Sequence, residues 1–216
     1  MAAKNGETQI DGFDFKKLPR LDKGNEAIRR ATLTNDEYEV LYRAMRTHTA
    51  KHNKIDDAEL RVRKIVQHYV LIAANSGLRV GEQKQLRWKD VQIEMHKDKD
   101  GNTVKLARIG VRAATSKDRK GRTLLCRNGQ YFERIQELFG KRDEEDLIFS
   151  IDGKRTINLK TLNIYFRAML EEAEIADVAG RGIVLYSLRH FMITQRIMAG
   201  LSFRQVADMC GTSICL

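Results

Sequence analysis

The sequence predicts a mostly α-helical domain carrying a small three-stranded antiparallel sheet. Apolar residues recur with a helical period in the stretches either side of the middle of the chain. Between Val91 and Cys126 the period changes to two, the signature of strands with one face covered. Two polar turn sequences cut that stretch into three pieces, which makes consecutive hairpins the natural topology.

Residues 1–30 are polar, contain Gly6, Gly12, Gly24 and Pro19, and show no sustained periodicity. They read as an arm or linker with at most one anchored patch, Phe13 to Leu18. The domain proper is expected over 31–216. Thr34 with Glu37 three residues later forms a capping box, and Tyr38, Leu41, Tyr42 and Met45 line one face of the helix that follows. His48 and His52 are four apart, but without a third ligand they read as a polar face. The next helix covers about Asp57 to Ala74, and Gly77 stops it, because glycine enters the left-handed C′ conformation without penalty. A short helix then begins near Arg79, with Glu82 in its first turn.

Val91, Ile93 and Met95 alternate as a first strand, and Asp98 to Asn102 form a turn. That turn has calcium-loop spacing at its start but lacks the closing glutamate, so a hairpin is the better reading. Val104 and Leu106 continue in strand character, while Ile109 and Val111 fall on the other parity. This predicts a bulge, or a strand buried on both faces. A second turn at Arg119-Lys120-Gly121 leads to a third strand, Arg122 to Cys126. Helices follow around Tyr131–Phe139, over Thr161–Ala176, from the Leu185–Phe191 stretch to about Ala199, and over Ser202–Met209, with a short apolar run at Leu147-Ile148-Phe149.

The totals restrict the function. The 216 residues are 42% hydrophobic, enough for a core, and no run of about 18 apolar residues offers a membrane span. The N-terminus has no apolar stretch of the kind a secretory signal needs. Cys126, Cys210 and Cys215 are an odd number without metal-ligand spacing, which points to reduced thiols and a cytoplasmic protein. With 39 Lys and Arg against 29 Asp and Glu, the net charge is +10. Such a surface favours a polyanion, nucleic acid above all.

Arg79 is the residue out of place. A cation at a helix N-terminus meets positive partial charge, so an anion should offset both, and helix N-termini bind phosphate readily; the alternative is a surface arginine beside a capped helix. A second arginine, Arg189, stands where another helix begins, and Lys117 lies at the mouth of the second hairpin. Two arginines and a lysine on one point suit phosphoryl transfer on DNA. Arginines neutralise transition-state oxygens through bidentate hydrogen bonds, and a lysine can protonate a leaving oxygen.

The stretch Ser76-Gly77-Leu78-Arg79-Val80-Gly81-Glu82, closed by Leu86-Arg87-Trp88, resembles the first signature of the tyrosine recombinase (phage integrase) family. Lys117 with Lys120-Gly121-Arg122-Thr123 is similar to its lysine hairpin, and Leu188-Arg189-His190-Phe191 to its second-arginine box. Leu201 to Gly211 resembles the helix before its second histidine box. Order and spacing are kept over roughly 31–216. The resemblance implies a catalytic domain acting on double-stranded DNA without metal or cofactor, through a tyrosine that forms a 3′-phosphotyrosyl link. By position, Arg79 and Arg189 would clamp the phosphate, Lys117 would be the general acid and Glu82 would orient the clamp. Arg87, Lys89, Lys120 and Arg122 are the further DNA-contact candidates. The whole protein would work as a synaptic homotetramer, and this chain as a monomer or weak dimer.

Three departures qualify it. Tyr186 stands where the family usually has histidine in His-x-x-Arg, and with a pKa near 10 tyrosine carries protons poorly at neutral pH. Thr212 stands where the family has histidine or tryptophan, while His190, about 100° round the helix from Arg189, reads as a packing residue. The nucleophile's slot falls near position 221, past Leu216. A chain trimmed at both ends, without the core-binding domain and inactive in covalent cleavage, is therefore expected. The competing reading is a non-catalytic DNA-binding relic or regulator. A helix-turn-helix over Gln205–Ser213 would need a recognition helix after Ser213.

Overall fold

The computed structural model describes residues 31–50 and 55–212. Seven helices and three strands make up the fold: α1 (Asn35–His48), α2 (Asp57–Ser76), α3 (Val80–Lys84), β1 (Val91–Lys97), β2 (Thr103–Val111), β3 (Arg122–Arg127), α4 (Gln130–Phe139), α5 (Leu159–Glu172), α6 (Ser187–Met198) and α7 (Phe203–Cys210). The expected arm at 1–30 with its Phe13–Leu18 patch, His52, Ser213 and Cys215 lie outside the described residues.

The organising element is α2. From Ile65 to Ala74 it is buried on nearly every side, with Ile65, Val66, Val70 and Ile72 fully covered, so it is a core helix and not an amphipathic one. It packs against α4, α5, α6 and β3, with α1 alongside. Tyr69 stacks edge-on to Phe149 at 5.0 Å and donates its hydroxyl to the Val80 carbonyl at 3.0 Å, tying α3 to the core. The Leu147–Phe149 run is buried beside it, and the Ile148 amide donates to the Leu86 carbonyl.

Local signals set the helix ends. Glu37 N–H donates to Thr34 Oγ1 at 3.2 Å and Thr34 N–H to Glu37 Oε2 at 2.8 Å, the reciprocal box its spacing predicts. Gly77 closes α2 with φ 64°, and Gly211 closes α7 with φ 59°. One helix is shorter than its periodicity predicts. α5 stops at Glu172 instead of Ala176, because Glu174 turns left-handed (φ 51°) and the Ile175 amide reaches back to the Leu170 carbonyl. That closure returns Ile175 to the core.

The sheet is antiparallel in the order β1-β2-β3. Of the two expectations for β2, the bulge is absent and the strand covered on both faces is nearer: β2 pairs without interruption, Val91 opposite Ile109 and Ile109 opposite Leu124. Its buried parity is Ala107, Ile109 and Val111, and Val104 and Leu106 stand half-buried on the other face. Alanine at 107 hid that parity from a hydrophobicity count. In the first turn the Asp98 carboxylate accepts from the amides of Asp100 and Asn102, so it caps its own hairpin.

Candidate functional site

The end of α2, the start of α3, the base of the β2–β3 hairpin, the start of α6 and the end of α7 meet at one place. Each arrives there for a local reason. Gly77 turns the chain so that Arg79 becomes the residue before α3, with no side-chain oxygen to cap that helix. The cap comes from Glu82, whose Oε2 accepts the Arg79 backbone N–H at 2.9 Å.

Glu82 is 2% exposed and is the hub. Its Oε1 accepts from Arg79 Nη1 at 2.9 Å and from Arg122 Nη1 at 3.0 Å, while its Oε2 accepts from Arg122 Nη2 at 2.7 Å. Burial alone would raise its pKa, but the hydrogen bonds from Arg122 and Arg79 outweigh that and hold the carboxyl below the usual range. It is therefore ionised at neutral pH.

The end of α7 supplies the remaining acceptors. A helix leaves its last carbonyls without intrahelical partners. Here Arg122 Nε donates to the Met209 carbonyl at 3.1 Å, Arg189 Nη2 to Cys210 at 2.8 Å, and Arg79 Nη2 to Gly211 at 2.6 Å. Three consecutive carbonyls thus hold three guanidiniums from three elements. Arg189 Nη1 also donates to the Gly77 carbonyl at 2.6 Å, so it bridges two helix C-termini. Arg189 is 3% exposed and forms no ion pair among the described residues. Cys210 lies against the cluster, its thiol pushed up by burial.

The charge balance follows. Three buried or half-buried cations face one buried carboxylate, Glu82. A second acid, the half-exposed Asp118, has its Oδ2 3.5 Å from Arg79 Nη2. Dipolar carbonyls satisfy guanidinium hydrogens without cancelling charge, so the pocket keeps an excess of positive charge. An oxyanion is what such a site accommodates. Beside it a cleft of about 410 Å³ is lined by Ser116, Asp118, Lys120, Arg122, Asp208 and Thr212 among others.

The expected residues divide. Arg79, Glu82 and Arg189 come together as anticipated. Lys117 is exposed and reaches neither arginine, although its neighbour Asp118 does. Thr212 lines the cleft, its amide donating to the Ala207 carbonyl. Tyr186 sits on the turn into α6, its ring edge-on to His190 at 5.0 Å. Of the DNA-contact candidates, Lys120 is exposed on the cleft, but Arg87 and Lys89 both ion-pair with Glu145. Arg122 departs most from a free phosphate contact, because Glu82 and Met209 take its guanidinium. Sequence reading missed the α7 carbonyls and the Arg122–Glu82 pair. The one available signal was Gly211, whose left-handed cap marks a helix end with unpaired carbonyls.

The phage integrase family model matches residues 31–213. No curated protein matches the sequence. Among solved structures, XerA recombinase superposes with a TM-score of 0.59 at 19% identity, over 85% of this chain and 55% of that one. XerH site-specific recombinase bound to palindromic difH substrate gives 0.61 at 17%, over 84% and 46%. A lambda integrase dimer bound to a COC′ core site gives 0.52 at 18%, over 88% and 47%. The chain thus spans about half the length of these solved chains and shares their fold.

Proposed function

Because the chain belongs to the phage integrase family, we propose that it supplies the phosphate-gripping part of a site-specific recombinase that breaks and rejoins duplex DNA. The observation that carries this is Arg189: buried, doubly bonded to helix-end carbonyls, and next to Arg79 with only Glu82 as buried counter-charge.

In this reading Arg79 and Arg189 bind the non-bridging oxygens of the scissile phosphate and stabilise the charge that builds there. Glu82 fixes Arg79 through its side chain and its backbone amide. Lys117 protonates the leaving 5′ oxygen once DNA draws the hairpin in, and Asp118 beside Arg79 marks how close that hairpin already lies. No metal is required, because guanidiniums do the neutralising. Tyr186 and Thr212 donate hydrogen bonds to the phosphate from positions where the family usually carries histidine. Lys120, Arg87 and Lys89 meet outer phosphates, the latter two after exchanging Glu145 for DNA. A tyrosine near position 221 is the nucleophile, and four copies of the whole protein form the synapse.

A second reading, DNA binding without cleavage, is favoured by Tyr186 and Thr212, since neither moves protons well at neutral pH. One experiment separates the two. In a form carrying the expected tyrosine, a nicked duplex that loses its leaving strand traps covalent product, and Arg79→Ala slows trapping about 10²-fold to 10³-fold. Salt-sensitive binding of the duplex with no covalent product from that form would leave the second reading standing.

A further inference from the structure

We propose that Arg122 is a positioning residue that aligns Arg79 for phosphate binding, and is not itself a phosphate contact. This rests on the clamp reading of Arg79 and Arg189 above.

Arg122 opens β3, at the base of the hairpin that carries Lys117, Asp118 and Lys120. Its two Nη groups make a fork on both oxygens of Glu82, at 3.0 and 2.7 Å, and its Nε donates to the Met209 carbonyl at 3.1 Å. What sets Arg122 apart from Arg79 and Arg189 is a carboxylate gripped by both of its Nη groups, since Arg79 gives Glu82 one Nη only and Arg189 bonds to carbonyls alone. The guanidinium also lies against α7's cap: a Cβ on Gly211 would come within 2.8 Å of Nη1. A phosphate could recruit Arg122 only by breaking a buried, bidentate ion pair, which is costly.

The same geometry gives Arg122 leverage. Glu82 is shared, since its Oε1 accepts from both Arg79 and Arg122. With the Arg122 fork in place, Glu82 is pinned and only partly neutralised by Arg79, so Arg79 keeps capacity for a phosphate. Without it, Glu82 becomes a whole counter-charge for Arg79 and draws that guanidinium off the phosphate.

The test is a thermodynamic cycle on this chain with a fluorescent DNA duplex, read by anisotropy across a salt series. Arg79→Ala is expected to weaken binding about tenfold and to lower the log-log salt slope by about 0.9, one phosphate's worth. Arg122→Gln is expected to do nearly the same. The double variant should match Arg79→Ala alone, because Arg122 acts through Arg79. Arg122→Lys keeps the charge and one bond to Glu82, guards against a folding defect, and should fall between wild type and Arg122→Gln with the same epistasis. Additive losses in the double variant would make Arg122 an independent DNA contact and overturn the proposal. So would a lowered melting temperature with unchanged affinity and slope, the mark of a purely structural role. In both cases the clamp reading survives through Arg79→Ala. If Arg79→Ala binds like wild type, the clamp itself fails and takes this proposal with it.

Discussion

Two groups of basic side chains drawn from the signature-like stretches of the sequence end in different physical states. Arg79, Arg122 and Arg189 are drawn inward, onto one buried carboxylate and the carbonyl ends of α2 and α7. Arg87 and Lys89 remain half exposed, sharing the carboxylate of Glu145, which is itself about half exposed. Exposed pairs of that kind contribute little to stability and exchange partners easily, since water screens what they gain. The buried group cannot exchange partners cheaply, and carbonyls leave its charge uncancelled. Catalytic electrostatics needs the second condition: fixed donors in a dry place. The exposed pair suits long-range attraction of DNA.

The largest effect that would break this contrast comes from Glu82. Glu82→Ala strips the buried counter-charge from two arginines and is expected to cost about 3–5 kcal/mol in urea unfolding. Gly77→Ala tests the frame that delivers Arg79. Its φ of 64° disfavours a side chain, and the added Cβ would sit 1.9 Å from Met192 Cε in the core, so about 1–3 kcal/mol is expected.

Acid sharpens the comparison further. Glu37 is held at about 2, chiefly by its hydrogen bond from Arg181, with burial opposing. A depressed folded-state pKa means stability that is present above about 4.5 and lost as pH falls towards 2. Glu82, also held low, acts in the same direction. Melting temperature should therefore drop across that window, and Glu37→Gln should flatten part of the drop. The smallest effect is at the exposed pair: Glu145→Ala should move melting by less than about 2 °C. At low salt it should tighten DNA binding slightly, by freeing Arg87 and Lys89.

What could be read in advance was what is local. The Thr34–Glu37 box, the Gly77 cap and the Asp98 turn depend on neighbours within five residues, and each formed as its sequence predicted. For β2 the sequence left a bulge and a strand covered on both faces equally open, because Ala107 is buried yet barely apolar. The end of α5 was overrun because Glu174 gives no hint of a left-handed turn. Within the site, Arg79 stood out at a helix start, but a surface arginine fits that position as well, and Arg79, Arg189 and Glu82 became legible together only through the resemblance of their boxes to the family's signatures. Arg122 did not. A basic residue in a basic hairpin looks like surface, and only the approach of α3 and α7, 40 and 87 residues distant, gives it partners. The α7 carbonyls were illegible for a related reason: they are backbone, and any sequence has them.

In the proposed reading, excess buried charge at Arg79 and Arg189 meets a DNA phosphate. The most direct measurement compares Arg189→Gln with Arg87→Gln in duplex binding across a salt series. Arg189→Gln is expected to lose about tenfold in affinity at low salt and about 0.9 from the log-log salt slope, whereas Arg87→Gln loses little of either. Equal losses, or wild-type binding by Arg189→Gln in a folded protein, would contradict that reading.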